Sequence, residues 1–256
     1  MSTPPIALEE NEEGWWGLWC RVHPRPWGLI YHNPAFDEPV FNHATRVMPG
    51  SRVREVIREI TRWFEGRNLD AHIYITPFFN EEAWEGSLKA LGYRLSDELV
   101  TLTLRGGLSG GPGTTRIVKV ERGQLWDWAS CYCRAFYGDT GPVGAVLGAL
   151  RRVVGDRAAS LYAAMDRDRV VGVAALYRSE KALGLYCLGT MPEYRGRGIG
   201  RQLVRFAAER ARMLGVDLTL QTFRGDGLVG FYENMGFSIR YVKKVYTHLR
   251  PRGPRP

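Results

Sequence analysis

Three glycines stand at alternate positions in Arg195-Gly-Arg-Gly-Ile-Gly200. A residue without a Cβ lets the backbone pass close to a ligand and leaves its N–H groups unobstructed. A short apolar run, Leu185–Met191, comes before the segment. After it, Leu203, Val204, Ala207, Ala211 and Leu214 recur three or four residues apart. This reads as a buried strand, a glycine turn and an amphipathic helix. Unpaired N–H groups and the dipole at a helix N-terminus attract an anion. The chemistry expected of Arg197 to Arg201 is therefore the cradling of a diphosphate. A tight strand–helix turn that holds nothing is the plainer alternative.

Two common phosphate loops do not fit. The dinucleotide fingerprint G-x-G-x-x-G spaces its glycines differently from Gly196, Gly198 and Gly200. A P-loop needs Lys and then Ser or Thr after its last glycine, where this chain has Arg201 and Gln202.

The elements around the loop fall into two sets. Ahead of it lie a strand over 115–120, helices over 125–136 and 143–154, and a hairpin of 160–166 with 170–177. Behind it lie a strand over 217–222, a short helix over 227–234 and closing strands over 237–240 and 242–249. In the first part of the chain, 52–65 reads as a helix with Val53, Val56, Ile57, Ile60 and Phe64 on one stripe and Ser51 as its cap. A strand over 71–76, a helix over 81–91 ended by Gly92, and strands over 93–95 and 99–104 follow. Residues 1–13 read as a disordered acidic lead, and 16–22 and 29–31 as strands. Gly106–Gly113 reads as a linker.

The halves repeat one plan. Met48-Pro49 corresponds to Met191-Pro192, from 48 to 191 being 143 residues. Gly92 in Ala90-Leu-Gly-Tyr93 corresponds to Gly236 in Asn234-Met-Gly-Phe237, from 92 to 236 being 144. The copies differ at the glycine loop, where the first has Gly50-Ser-Arg-Val-Arg-Glu55. They also differ at Leu88, which stands where the second has Tyr232. The bulk of Val53 and Arg54 would keep a diphosphate away.

Pro192-Glu-Tyr-Arg195 with Gly198 and Gly200 resembles the pyrophosphate motif R/Q-x-x-G-x-G/A of GCN5-related N-acetyltransferases (GNAT). Residues 160–175 are similar to that family's central hairpin, and Phe231-Tyr-Glu-Asn-Met-Gly-Phe237 to its L-Y-E-K-x-G-F segment. The resemblance spans 115–249. It implies an α/β fold with a mixed, mostly antiparallel sheet flanked by helices, present here as two tandem GNAT-like domains. The first, 14–105, would be a degenerate copy without a cofactor site. After the linker 106–113 would come the acetyl-CoA-binding catalytic domain, 114–249, and a disordered basic tail, 250–256.

The resemblance also implies the chemistry. Acetyl-CoA is the co-substrate and no metal is needed. Arg195, Gly196, Arg197, Gly198, Ile199, Gly200 and Arg201 would hold the pyrophosphate, and the backbone of Leu188 and Thr190 the pantetheine arm. A backbone N–H near Thr190 or Met191 would polarise the thioester carbonyl. Tyr232 would protonate the departing thiolate; its alternative is an aromatic that merely packs at a helix–strand junction. No base is readable, the candidates being Asp139, Glu180, Glu193 or a water chain. The family often carries Asn seven residues before its tyrosine, where this chain has Gly225.

Composition sets outer bounds. Of 256 residues 45% are hydrophobic and 24% charged, as in a globular protein. No apolar run reaches the roughly 18 residues of a membrane span, and the acidic start opposes a signal peptide, so the expected location is cytoplasmic. The net charge of +8 is uneven. Residues 1–112 hold 11 Lys+Arg and 15 Asp+Glu, the remainder 24 and 12, which suits a polyanionic ligand for the second half or simply a solvated arginine-rich surface. Cys20, Cys131, Cys133 and Cys187 show neither a disulfide framework nor metal spacing.

The leading expectation is an N-acetyltransferase acting on a primary amine of a small molecule, peptide or protein. A non-catalytic module that binds acetyl-CoA or a partner on the same scaffold is the alternative. Nucleic-acid binding lacks any motif, and no membrane partner is expected. The chain would be a monomeric pseudo-dimer or a homodimer.

Overall fold

The computed structural model describes residues 3–48, 50, 52–79, 84–106, 108 and 115–250. In chain order its elements are α1 (Pro5–Trp19), β1 (Arg21–Arg25), β2 (Gly28–His32), β3 (Asn42–Thr45), α2 (Val53–Glu65), β4 (Ala71–Ile75), α3 (Glu85–Ala90), β5 (Arg94–Leu104) and β6 (Arg116–Lys119). There follow α4 (Leu125–Tyr137), α5 (Val143–Val153), β7 (Ala159–Asp166), β8 (Arg169–Arg178), β9 (Ala182–Thr190), α6 (Ile199–Leu214), β10 (Asp217–Phe223), α7 (Val229–Glu233) and β11 (Ser238–His248). The fold is α/β, with mostly antiparallel strands flanked by helices.

The chain forms two compact units that exchange segments. One gathers Met1–Trp19, Leu102–Gln221 and Gly230–Arg240; the other gathers Cys20–Thr101, Thr222–Val229 and Tyr241–Pro256. Compactness thus follows contacts rather than the contiguous stretches on either side of 106–113.

In the first unit β6, β7, β8 and β9 pair antiparallel in that order, and β10 joins β9 in parallel. Helix α6 covers one face of this sheet. A Cβ on Gly172 of β8 would stand 2.7 Å from Ile199 Cγ2 and 3.3 Å from Leu203 Cδ1. Only glycine therefore lets the first turn of α6 sit this close to the sheet. Helices α4 and α1 cover the other face, where Gly189 of β9 lies under Ala135 and Phe136 and Tyr177 and Tyr186 meet α1.

The first helix overturns the expectation of a disordered lead over 1–13, of which 1–2 lie outside the described residues. Leu8, Trp15 and Trp19 are fully buried, and the ring of Trp15 stacks on Tyr186 at 4.9 Å. Asn11 donates from Nδ2 to Tyr177 O (3.1 Å), Ser179 Oγ (3.0 Å) and Ala182 O (3.2 Å) and accepts from Tyr186 Oη (2.8 Å). Arg152 of α5 donates to the last carbonyls of α1, Leu18 O (2.7 Å) and Trp19 O (2.8 Å). The strand expected over 16–22 is likewise helix as far as Trp19. The driving force is aromatic burial on β8 and β9, which outweighs the acidic composition of the helix.

The second unit orders its strands β1, β2, β3, β4, β11 and β5. Its core packs Val56, Ile57, Ile60 and Phe64 of α2 on Ile73 and Ile75 of β4, with Leu88 of α3 fully buried among them. The succession α2, β4, α3, β5 repeats as α6, β10, α7, β11, as the 143–144-residue offset predicts. Strands β5 and β11 each run unbroken where breaks were expected. The expected cap Ser51, Pro49, the helix start at 81–83, most of the linker and tail residues 251–256 lie outside the described residues.

Candidate functional site

Strand β9 is irregular in the place that matters. Tyr186 pairs with Ala175 and Gly189 with Val173, so Cys187 and Leu188 together face Ala174 alone. Cys187 adopts φ 52, a left-handed conformation unusual outside glycine. Such a bulge leaves a backbone group of the extra residue out of the ladder and re-aims it. One strand over, the β9–β10 pairing ends at Thr219↔Gly184. Beyond that point both strands continue but no longer pair. Leu188 therefore stands where the sheet opens between β9 and β10.

The donor expected at Met191 is already in use. Its N–H pairs with Val171 O at 3.0 Å. Thr190 ends β9, and its carbonyl accepts from Arg195 Nε at 3.4 Å.

The loop after β9 has the geometry of an anion cradle. Gly196 has φ 76, and Gly198, the residue before the first turn of α6, has φ 77 and ψ 5. No side chain caps the helix, and the first intrahelical partnership in this region is Gln202 N–H to Gly198 O at 3.0 Å. Gly198, Ile199, Gly200 and Arg201 hold the four N–H groups that a helix start leaves without an intrahelical partner. Ile199 is buried against Gly172 and fixes the direction of those donors. The arrangement fits a diphosphate.

The side chains around the loop divide by role. Arg197 lies over the Tyr194 ring at 4.8 Å, and Arg201 over the Phe231 ring at 5.6 Å. The latter contact sets α7 beside the start of α6. A cavity of about 300 Å³ adjoins them, lined by Arg201 and Arg205 of α6 and by Asn234 and Gly236 beyond α7. Arg195, expected to contact the cofactor, instead turns its guanidinium to α4, donating from Nη2 to Ala135 O at 2.8 Å. It clamps the C-terminal end of α4 to the cradle; only its backbone stays with the loop.

Tyr232, on α7, is buried, with its ring 5.2 Å from that of Phe231 and 5.7 Å from that of Phe237. Leu88, 144 residues earlier in the chain, is part of an apolar core.

The candidate bases separate by position. Glu180 sits in the turn that begins β9, roughly 25 Å along the strand from Thr190, too far to serve. Glu193 Oε1 meets Arg134 Nη2 at 2.9 Å and Arg169 Nη2 at 3.3 Å. Its own backbone N–H and these guanidinia hold its carboxyl below the usual range, which makes it a poor proton acceptor. Asp139 Oδ1 accepts from Gly141 N–H at 2.7 Å and shapes the α4–α5 turn.

Cys187 lies in the bulge itself. Burial pushes it well above the usual thiol range, so it is not a thiolate nucleophile. Gly225, at the position where Asn was the frequent expectation, gives its N–H to Asp97 Oδ1 at 3.1 Å, and a Cβ there would lie 2.7 Å from Asp97 Oδ2. A carboxylate from β5 thus takes up the space of the missing side chain. Among the described residues no group of three or more His, Cys, Asp or Glu is placed to hold a metal, and no helix is long and apolar enough to cross a membrane.

Residues 157–239 match the family model of the acetyltransferase (GNAT) domain. No curated protein matches the chain. Solved structures do. A GCN5-related N-acetyltransferase from Kribbella flavida has a TM-score of 0.68 at 15% identity, covering 98% of this chain and 98% of that one. A functionally unknown conserved protein from Staphylococcus epidermidis has 0.68 at 14%, covering 89% and 93%. A tandem GNAT protein from the clavulanic acid biosynthesis pathway has 0.57 at 13%, covering 81% and 74%. At these identities the structural likeness speaks to fold, and the family match to the domain itself. Residues 157–239 thus match an acetyltransferase (GNAT) domain, and the chain shares its fold with solved GCN5-related N-acetyltransferases, a tandem GNAT protein among them.

Proposed function

We propose that the protein transfers an acetyl group from acetyl-CoA to a primary amine by direct attack. The observation that carries this reading is the conjunction of two features on β9 and its loop. One is a bulge at Cys187–Leu188 beside an unpaired strand end; the other is a run of four uncapped N–H groups at the start of α6.

Acetyl-CoA, when bound, supplies an activated acyl thioester. The N–H groups of Gly198 to Arg201 would hold its diphosphate, with Arg201 and Arg205 adding positive charge beside the cradle. The backbone of Leu188 and Thr190 would pair with the pantetheine arm. The N–H of Leu188 would face the carbonyl oxygen on which charge develops. Tyr232 would hand its proton to the leaving sulfur. With no thiolate at Cys187, Glu180 remote, and Glu193 and Asp139 held in the contacts described above, the attacking amine would shed its proton to water. The first copy, with Leu88 in its core and no glycine loop, would carry no cofactor.

Titration calorimetry with acetyl-CoA, paired with thiol release over a panel of amines, tests the reading. Saturable binding with amine-dependent thiol release supports it. Binding without release from any amine favours the non-catalytic module, and no binding at millimolar acetyl-CoA refutes both.

A further inference from the structure

Along β10, Asp217, Thr219 and Gln221 alternate onto one side of the strand. The first two are satisfied. Asp217 Oδ2 accepts from Thr3 N–H (3.0 Å) and Thr3 Oγ1 (2.7 Å), and Thr219 Oγ1 donates to Leu102 O (3.1 Å). Gln221 breaks the series. Its Oε1 and Nε2 are both closed off from solvent, and neither has a hydrogen-bond partner. An unmet buried donor and acceptor on one side chain are costly, and native structures keep few of them without a reason.

The reason is suggested by where the amide sits. Parallel pairing with β9 runs Asp217↔Ala182, Leu218↔Leu183, Thr219↔Gly184 and then stops. Gln221 comes two residues later, on the wall of the opening. Had the ladder continued, it would stand level with Tyr186, one residue before the bulge. Tyr186 points to α1 through its hydroxyl, so Gln221 lies on the face covered by α1 and α4, away from the cradle at α6. Had the strands stayed paired, the backbone there would be occupied and a side-chain amide would add nothing.

We propose that Gln221 is a ligand-binding residue of this opening. Its carbonyl and its amide would pair with an N–H donor and a carbonyl acceptor held side by side, the pattern of an amide group. This rests on the acetyltransferase reading, within which two sources carry that chemistry: the amides of the pantetheine arm, and an amide next to the attacked amine of the acceptor.

Gln221→Leu and Gln221→Glu, compared with wild type, separate the sources. Melting is measured without ligand, the Kd of acetyl-CoA by calorimetry, and thiol release with lysinamide against 1,5-diaminopentane, which lacks the amide. Gln221→Leu removes an unpaired amide and is expected to melt no lower than wild type. A tenfold or greater rise in the acetyl-CoA Kd assigns the amide to the pantetheine arm. An unchanged Kd with at least tenfold loss of the preference for lysinamide assigns it to the acceptor. An unchanged Kd with unchanged preference, or with no turnover of either amine by wild type, overturns the inference while leaving the cradle intact. Wild-type protein that binds no acetyl-CoA overturns both.

Discussion

Replacing Gly198 with alanine isolates the cradle from everything around it. A Cβ built on Gly198 meets nothing within 4 Å, so the substitution introduces no clash. What it introduces is strain, because an L-residue held at φ 77 costs about 1–2 kcal/mol relative to glycine. The loop has two responses. If it keeps its shape, the protein loses that amount of stability and binds its ligand as before. If it relaxes, the N–H groups of Ile199 and Gly200 swing out of line. A charge-assisted hydrogen bond contributes about 1.5–3 kcal/mol, so losing one weakens binding roughly tenfold to over a hundredfold. The buried Ile199, packed on Gly172, resists relaxation beyond the first turn and confines the change to the loop. We expect a small drop in melting temperature and an acetyl-CoA Kd raised at least tenfold, read by thermal melting and calorimetry on the same preparation. A variant that melts lower with unchanged Kd has kept the strained loop in shape; one that melts like wild type, its strain relieved by relaxation, and still binds acetyl-CoA with unchanged Kd would show that these donors do not hold the diphosphate.

Three further outcomes are expected. Tyr232→Phe should lower turnover roughly 10²-fold with acetyl-CoA affinity nearly unchanged, the scale of a lost general acid; unchanged kcat moves the proton to water. Asn11→Ala strands the Tyr186 hydroxyl and the carbonyls of Tyr177 and Ala182, so stability should fall by about 2–4 kcal/mol; a change below about 0.5 kcal/mol in denaturant titration would mean that α1 is held by its tryptophans alone. In the second unit, burial lowers the pKa of His43 to about 3 and of His72 to about 4, from 6.5. Both stay neutral in the folded state while the unfolded chain takes up protons below pH 6.5, so stability is lost as pH falls from 6.5 toward 4. Each contributes up to about 1.4 kcal/mol per pH unit, and His43→Gln should flatten the melting temperature against pH over that window.

Much of the candidate site was legible because its signals are local. Alternating glycines ahead of a 3.6-period stripe fix a loop and a helix start within a few residues, and Gly172 on the neighbouring strand is explained by the same first turn. What escaped were features that depend on distant partners. The stripe of α1 runs Leu8, Asn11, Glu12, Trp15, Trp19, but two of its five members are polar, and their burial makes sense only once Tyr177, Ala182 and Tyr186 are alongside. The partners of Arg195 and of the Met191 N–H escaped for a related reason. Sequence shows which groups can donate, not which acceptor, Ala135 O or Val171 O, reaches them first. The bulge at Cys187 leaves no trace in residue type at all, since a left-handed cysteine is dictated by its neighbours. Gln221 is the converse case, a residue of ordinary appearance singled out only by lacking company.

The exchange of segments between the two units bears on how this chain can be divided. A protein shortened to start after Gly113 would retain every residue of the family match, yet it would shed the helix that roofs Tyr186 and the strand that ends at Leu104. Its aromatic face would be bared to water, and Asp217 would lose Thr3. Such a fragment should collect in inclusion bodies rather than behave as a small independent enzyme.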